Sequence, residues 1–301
     1  MKRYRGWYQI GFGEIGPGPL TPARVGSQRL VLVSDPAGGR LRAFDADCPH
    51  RGADLARGTP EDGVIVCAFH GLRVRLGADA GCKHGVREHE VASVGGSVFV
   101  RLDGGADLGL AERLRDLDRR CWIVPGFEMP LRAPHELVAE NAFDGAHFHS
   151  VHQVHNHPNV EVATGADGEL VGTGVLEVPV SAWQKSAAHG NVAVPITVRA
   201  FSPGVVVTDM GGAFPYAMVT TATPSAEGCM VRLSFAMPRI GGANGPDRRM
   251  CDYMIAQARK GLEADRLIWE SLNPRHVPQY LAEDGAVIAY RKFCAQFEEQ
   301  A

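Results

Sequence analysis

The chain lacks several features that would place it quickly. It carries no basic excess: 31 Lys and Arg stand against 34 Asp and Glu, a formal charge of −3, so the electrostatic footprint of a nucleic-acid-binding protein is missing. No apolar run reaches the length of a membrane span, and although Met1–Arg5 opens with positive charge, Trp7 to Gly18 is broken by glycines and Glu14, so no signal-peptide core follows. Seven cysteines are too few and odd in number for a disulfide framework, which suits reduced thiols in a cytoplasm. No flavin or nicotinamide signature is present: Gly11-Phe12-Gly13-Glu14-Ile15-Gly16 is an isolated G-x-G-x-x-G match with no helix after it. There is no internal repeat or low-complexity tract. What remains, at 301 residues and 45% hydrophobic, is a chain with room for two modest domains.

The chemistry begins with Cys48-Pro49-His50 and Cys67-Ala68-Phe69-His70, two short segments separated by the sixteen residues Arg51 to Val66. Each offers one thiolate and one imidazole, followed by Arg51-Gly52 and by Gly71, which let the backbone turn tightly. Two cysteines on one iron and two histidines on the other make the ligand set of a Rieske [2Fe–2S] cluster. A Cys2His2 zinc site has the same ligand count, but zinc fingers keep their cysteines together and their histidines together, whereas here the two types are mixed in each segment.

C-P-H-R-G over 48–52 and C-A-F-H-G over 67–71 resemble the paired motifs of the Rieske non-heme iron oxygenases. Leu72 stands where that family usually has Trp, and the stretch from Gly81 to Val98 is short for it. The resemblance continues through Glu140–His152, which is similar to the family's N-x-x-D-x-x-H-x4-H run, and implies that His147 and His152 hold a mononuclear iron. Five residues on an ideal helix set side chains about 140° apart, so a helix must end or deform between these two. His149, His155 and His157 are read as surface or supporting histidines, since one facial triad needs two.

Such a triad also needs a carboxylate. The sequence predicts one long helix over 246–271, with Asn244 near the cap, Pro246 in the first turn and Pro274 beyond the end. On its helical projection Asp265 falls among Met254, Ala258, Gly261, Leu262, Ile268 and Trp269, while Asp252, Arg259, Glu263 and Glu270 lie on the far side. A carboxylate in the middle of an apolar face costs several kcal/mol, about what an unpaired buried charge loses, unless it meets a cation. Iron is one such cation and a buried arginine the other. The resemblance extends over this helix and aligns Asp265 with the family's carboxylate ligand. By the same resemblance Asp144 conducts electrons between a cluster histidine of one subunit and an iron-bound histidine of its neighbour, with helix capping as the plain alternative; Asn141 becomes a group near the iron.

Residues 28–45, 63–76 and 90–102 alternate or run apolar as short strands, with turn signals at Asp35-Pro36 and Gly38-Gly39, and Leu102–Asp107 is a glycine-rich boundary. Beyond Arg120, strands are predicted at Glu169–Ala182, Val192–Ala200, Gly204–Met210, Ala217–Thr223 and Cys229–Pro238, before the long helix. The expectation is an α+β chain: a small antiparallel β domain over 1–106, then a helix-grip catalytic domain over 107–301. Met210, Phe214, Tyr216, Met218, Phe235 and Met237 are candidates for a pocket wall. The resemblance implies the terminal oxygenase of a multicomponent system, nearest to the single-subunit branch with the 3-ketosteroid 9α-hydroxylase oxygenase component. It implies a head-to-tail homotrimer supplied with electrons by a ferredoxin or flavin reductase and hydroxylating a bulky apolar substrate with O2. A Rieske demethylase or desaturase shares every metal residue. A Rieske electron carrier fused to a non-catalytic ligand-binding domain is the rival from another class.

Overall fold

A computed structural model describes residues 4–12, 18–34, 40–78, 82–179, 190–239 and 245–297. The turn signals at 35–39, most of the glycine-rich match at 11–16, the strand end at 180–182 and Asn244 lie outside them.

The first part of the chain forms β1 (Gly6–Phe12), β2 (Leu20–Val25), β3 (Gln28–Val33), β4 (Arg42–Asp45), β5 (Thr59–Glu61), β6 (Val64–Val66), β7 (Arg73–Leu76), β8 (Gly85–Val86), β9 (Glu88–Val94) and β10 (Ser97–Leu102). Six of these make one sheet in the order β1-β10-β9-β4-β3-β2, and the rest a second sheet in the order β5-β6-β7-β8. The sheets are antiparallel as expected except at their smallest pair, β7 with β8, which is parallel. Val31, Phe44, Leu55, Ile65 and Val74 are fully buried in a core that also takes in Cys48 and Cys67.

Helix α1 (Leu110–Arg120) leads into β11 (Cys121–Leu131), then α2 (His135–Glu140), a 3-10 turn over Asn141–Phe143, and α3 (Gly145–Ser150). The strands β12 (Glu161–Thr164), β13 (Leu170–Pro179), β14 (Asn191–Ser202), β15 (Val205–Met210), β16 (Tyr216–Pro224) and β17 (Cys229–Pro238) follow, and with β11 they form a seven-stranded antiparallel sheet ordered β11-β17-β16-β15-β14-β13-β12. Helix α4 (Arg248–Trp269) packs across it and α5 (Gly285–Ala295) closes the chain.

The long helix differs from expectation at its start. Asp247 caps it by accepting hydrogen bonds from the backbone N–H groups of Arg249 and Met250 at 2.9 and 3.1 Å, so Pro246 precedes the cap instead of sitting in the first turn. Ile268, placed on the buried face by helical projection, is 45% exposed, because it stands at the margin of that face, about 60° round from Asp265, while Trp269 beside it in the same turn is buried at 8%.

The two parts share a core. Trp7 and Phe99 bury in one cluster with Leu114, Val198 and Val206. Polar links reinforce the seam: the Ser202 hydroxyl donates to the Trp7 carbonyl at 2.6 Å, Trp7 Nε1 donates to Asp107 at 2.8 Å, and Thr221 donates to the Gln9 side chain at 2.9 Å. A buried donor without a partner costs about 1–3 kcal/mol, so these bonds fix how β1 lies on the second sheet.

Candidate metal centres

The two cysteine segments fold into matching loops. In the first, Gly52 N–H donates to the Cys48 carbonyl at 2.8 Å and Cys48 N–H to the Ala53 carbonyl at 2.9 Å; in the second, Gly71 N–H donates to Cys67 and Cys67 N–H to Leu72, both at 2.9 Å. Each closing glycine has a left-handed backbone, φ +70° at Gly52 and +67° at Gly71, which other residues adopt at a cost of about 1–2 kcal/mol. Leu72 packs partly buried against the core below the second loop. Arg29 ties the first loop down by donating to the Gly52 carbonyl at 2.6 Å and to Asp47.

The loops sort their ligands. Cys48 and Cys67 are buried side by side, whereas His50 and His70 are exposed, their rings 4.7 Å apart. Burial pushes the Cys48 thiol up; at Cys67 burial acts the same way but is outweighed by the Phe69 N–H, the Cys48 thiol and the His70 N–H, which hold that thiol below its ordinary value. A cysteine with backbone donors already aimed at its sulfur is the environment a metal-bound sulfur needs.

The ligand atoms of these four residues do not all lie within 4.8 Å of one another. Among the described residues the one group of three or more His, Cys, Asp and Glu side chains whose ligand atoms all lie within 4.8 Å of one another is elsewhere. A thiol pair inside and an imidazole pair at the surface suit a binuclear cluster, with one iron toward the core and one toward solvent.

That group of three is His147, His152 and Asp265. Asp144 starts α3, its carboxylate accepting from the N–H groups of Ala146 and His147 at 3.0 and 3.2 Å. A side chain on Gly145 would drive its Cβ to 1.9 Å from the Pro158 carbonyl, so a glycine is required where α3 is pressed against that loop. The helix ends at Ser150, before His152, as the five-residue spacing demands. Gln153 then takes a left-handed φ of +57°, uncommon for a residue with a side chain, and the chain reverses with the His152 ring turned inward.

His147 is presented by a main-chain bond: its Nδ1 lies 2.5 Å from the Asp144 carbonyl oxygen, so Nδ1 carries the proton and Nε2 keeps a free lone pair. Burial away from water lowers the pKa of this imidazole and favours the neutral, ligating form. Its ring stands 5.0 Å from that of His152 and nearly perpendicular to it, at 85°. His152 Nε2 reaches Asp265 Oδ1 at 3.3 Å, and Asp265 is 7% exposed. Neighbouring Arg266 turns instead to Glu263 and Glu270, at 3.4 and 3.6 Å, so no arginine neutralises Asp265 among the described residues. Two imidazoles and one carboxylate converging on an open cavity fit a divalent iron.

The other candidates are distributed as follows. His149 bonds its Nδ1 to the Val154 carbonyl at 2.8 Å and stacks on His157 at 3.9 Å, and both are exposed, as is His155. Asn141 lines the cavity beside the triad. Asp144 caps α3 with its carboxylate, which meets the His147 backbone N–H, while its carbonyl oxygen meets the His147 ring.

The cavity has a volume of about 580 Å³ and lies between the sheet and α4. Met210, Tyr216, Met218 and Phe235 line it as anticipated. Phe214 does not: it is 55% exposed between strands, and Met237 lies beyond the cavity against the core under α4. Val138 and Ala142 before α3, and Tyr253, Gln257 and Lys260 on α4, were missed. The last three recur at i, i+4 and i+7, a spacing that marks one helix flank but not what it faces.

Fold and ligand sets together define a Rieske-type oxygenase, with a β domain carrying a cluster and a second domain carrying a mononuclear centre. Residues 7–95 match the Rieske [2Fe-2S] domain, and residues 113–297 match the 3-ketosteroid 9α-hydroxylase C-terminal domain; the chain belongs to that family. Its cofactors are accordingly a Rieske [2Fe–2S] cluster and a mononuclear non-heme iron. A probable 3-ketosteroid-9-alpha-monooxygenase oxygenase component of Rhodococcus rhodochrous is 30% identical over 172 residues, 50% of this chain and 42% of that protein. The vanillate O-demethylase oxygenase subunit of a Pseudomonas species is 27% identical over 149 residues, again covering 42% of its own length. Dicamba monooxygenase bound to 3,6-dichlorosalicylic acid shares the fold over 97% of this chain and 96% of its own, with a TM-score of 0.70 at 17% identity. The chain thus matches less than half the length of these two curated relatives.

Proposed function

We propose that this protein is the terminal oxygenase of a multicomponent system. It would take electrons from a ferredoxin or flavin reductase and use O2 to hydroxylate an apolar organic substrate, polycyclic compounds included. The observation that carries this reading is the convergence of His147, His152 and Asp265 at a mainly apolar cavity, in a chain that also holds the four-ligand cluster loops. An electron carrier with an inert ligand-binding domain has no use for a buried, arginine-free carboxylate.

Cys48, Cys67, His50 and His70 would hold the cluster, and His147, His152 and Asp265 the iron. When bound, these groups supply single electrons and the activation of O2. The chain supplies the rest. The Asp144 carbonyl orients His147, and the turn at Gln153 aims His152. The strands β14, β15 and β17 present Val198, Val206, Leu233 and Phe235 to exclude water from the reacting carbon. A cavity of about 580 Å³ accommodates a ligand of steroid or fused-ring size. Demethylation and desaturation need the same residues and differ in which carbon the walls hold toward the iron, and the demethylase among the relatives keeps that second reading alive.

The exposed cluster histidines favour a route between subunits. In a head-to-tail trimer the Asp144 carboxylate, one oxygen engaged in capping, would offer its other oxygen to a cluster imidazole of the neighbour. We place the domain division at 106/107, and a cytoplasmic location suits the free cysteines. Among the described residues no helix is long and apolar enough to cross a membrane.

Metal analysis tests the assignment. The holoprotein is expected to contain about three irons and two acid-labile sulfides per chain. Asp265→Ala, His147→Ala and His152→Ala should each lose the mononuclear iron and turnover while keeping the cluster spectrum. One zinc per chain without visible absorbance would overturn the reading.

A further inference from the structure

The cavity is unevenly charged. Its lining contains one carboxylate, Asp265, and one ammonium group, Lys260. Asp265 faces His152 at the inner end and is committed to the metal-ligating group. Lys260 is exposed at the rim, and among the described residues it has no carboxylate partner, since Glu263 one turn on faces Arg266 at 3.4 Å. With Asp265 neutralised by a divalent ion, the positive charge of Lys260 is uncompensated at the edge of a mainly apolar chamber.

The helix sets the geometry. Tyr253, Gln257, Lys260 and Ala264 follow one another along the flank of α4 that borders the cavity, and Tyr253, Gln257 and Lys260 are all exposed. Leu262, Met254 and Trp269 occupy the buried face of the same helix. Lys260 precedes Asp265 by five positions, about 7.5 Å along the axis and about 140° round it, which sets the ammonium at the edge of the lining and away from the metal-ligating group. A ligand spanning that distance would lay its apolar body against Val198, Val206 and Phe235 and bring its far end to Lys260. The Gln257 amide, one turn before, adds a second donor to the same rim.

We propose that Lys260, with Gln257 beside it, is a specificity-determining anchor for an anionic head group, so that the substrate class is an apolar ring system ending in a carboxylate. This rests on the oxygenase reading and narrows it. A flexible ammonium at a half-open mouth acts as a point charge; it selects for charge and tolerates different ring skeletons. The apolar walls reject a carboxylate placed at the inner end, so the same charge asymmetry fixes which end of the substrate enters first.

The test compares acids with their neutral esters on the holoprotein. Benzoate, 2-naphthoate and 1-pyrenecarboxylate, each paired with its methyl ester, are titrated calorimetrically at low ionic strength. At the size that fits best, the acid is expected to bind at least about tenfold more tightly than its ester. The preference should shrink as salt is added, as it does for an exposed charge. Lys260→Met should abolish the acid preference, Lys260→Glu should reverse it in favour of the ester, and Lys260→Arg should keep most of it. Cluster absorbance and iron content confirm that each variant is assembled. If no acid outbinds its ester at any size, or if Lys260→Met leaves the preference intact, the anchor is refuted. The two readings fail separately. Iron-loaded protein that turns over a neutral compound without any acid preference sinks the anchor alone. A Lys260-dependent acid preference in protein without mononuclear iron or turnover sinks the oxygenase alone.

Discussion

At the scale of single residues, the two cluster loops repeat one design, and each residue type in it has a separable role. Replacing His50 or His70 by Ala should abolish the electron paramagnetic resonance signal of the reduced cluster, and Cys48→Ser or Cys67→Ser should do the same; a surviving wild-type signal in either histidine variant would mean the ligands are misassigned. Gly71 is a different case. An added Cβ would meet nothing within 4 Å, so the cost of Gly71→Ala is the backbone alone, about 1–2 kcal/mol for a left-handed residue. Thermal denaturation should record a fall of a few degrees, about what that cost implies for a protein above 150 residues. Gly71→Asn should lose less, since Asn visits this conformation more readily. If Asn were as costly as Ala, the strain argument would fail and the loop would need glycine for another reason.

At the scale of elements, α3 joins the fold to the chemistry, because its capping residue is also the proposed electron-path residue. The two roles separate by substitution. Asp144→Ala removes the acceptor for the Ala146 and His147 N–H groups and should cost about 1 kcal/mol, the usual loss of a helix cap. Asp144→Asn keeps an acceptor oxygen and should leave stability and both metals nearly unchanged. Oxidation of the reduced cluster in a single turnover should nevertheless slow by about tenfold or more, the low end for losing a group that orients metal-bound imidazoles. Wild-type electron transfer in the Asn variant would leave Asp144 a cap and nothing else. The same helix shows how far the sequence was legible. Ligand spacing announced that a helix must end or deform between His147 and His152, but not that Gln153 would absorb the reversal in a left-handed conformation, nor that a carbonyl would orient His147. Strands with clear alternation, such as Cys229–Pro238, were placed correctly from end to end. Strand β11 was missed because Pro125 and Pro130 interrupt it, and it tolerates them as an edge strand with a shift in register between Pro125 and Phe127. Strand β1 was hidden by its glycines. Met237 was misplaced because a strand's period of two tells which residues share a face, not how far a cavity extends along it, and Phe214 because it stands in the connection between β15 and β16 and not in a strand.

At the scale of the whole molecule, the question is whether an electron entering at the exposed histidines reaches the iron of its own chain or of another. The seam along β1 holds the two parts of one chain in a fixed relation through Trp7, Gln9 and Ser202, so domain motion is a poor way to close an intrachain gap. In the trimer proposed above, one repeated head-to-tail contact would carry the electron instead, since such a contact uses different patches on the two partners and gives every subunit a neighbour on each side. Mixing two inactive variants decides between the routes. Cys67→Ser keeps the triad and lacks the cluster; Asp265→Ala keeps the cluster and lacks the iron. Co-assembled in equal amounts from dissociated subunits, they should recover about a quarter of wild-type turnover, because a contact in a randomly mixed ring pairs an intact cluster with an intact neighbouring iron in about one case in four. An intrachain route gives none, since no single chain in the mixture holds both centres. Recovery without any ring, seen as full complementation by monomers at high dilution, would show that the centres meet by collision and would remove the trimer from the argument.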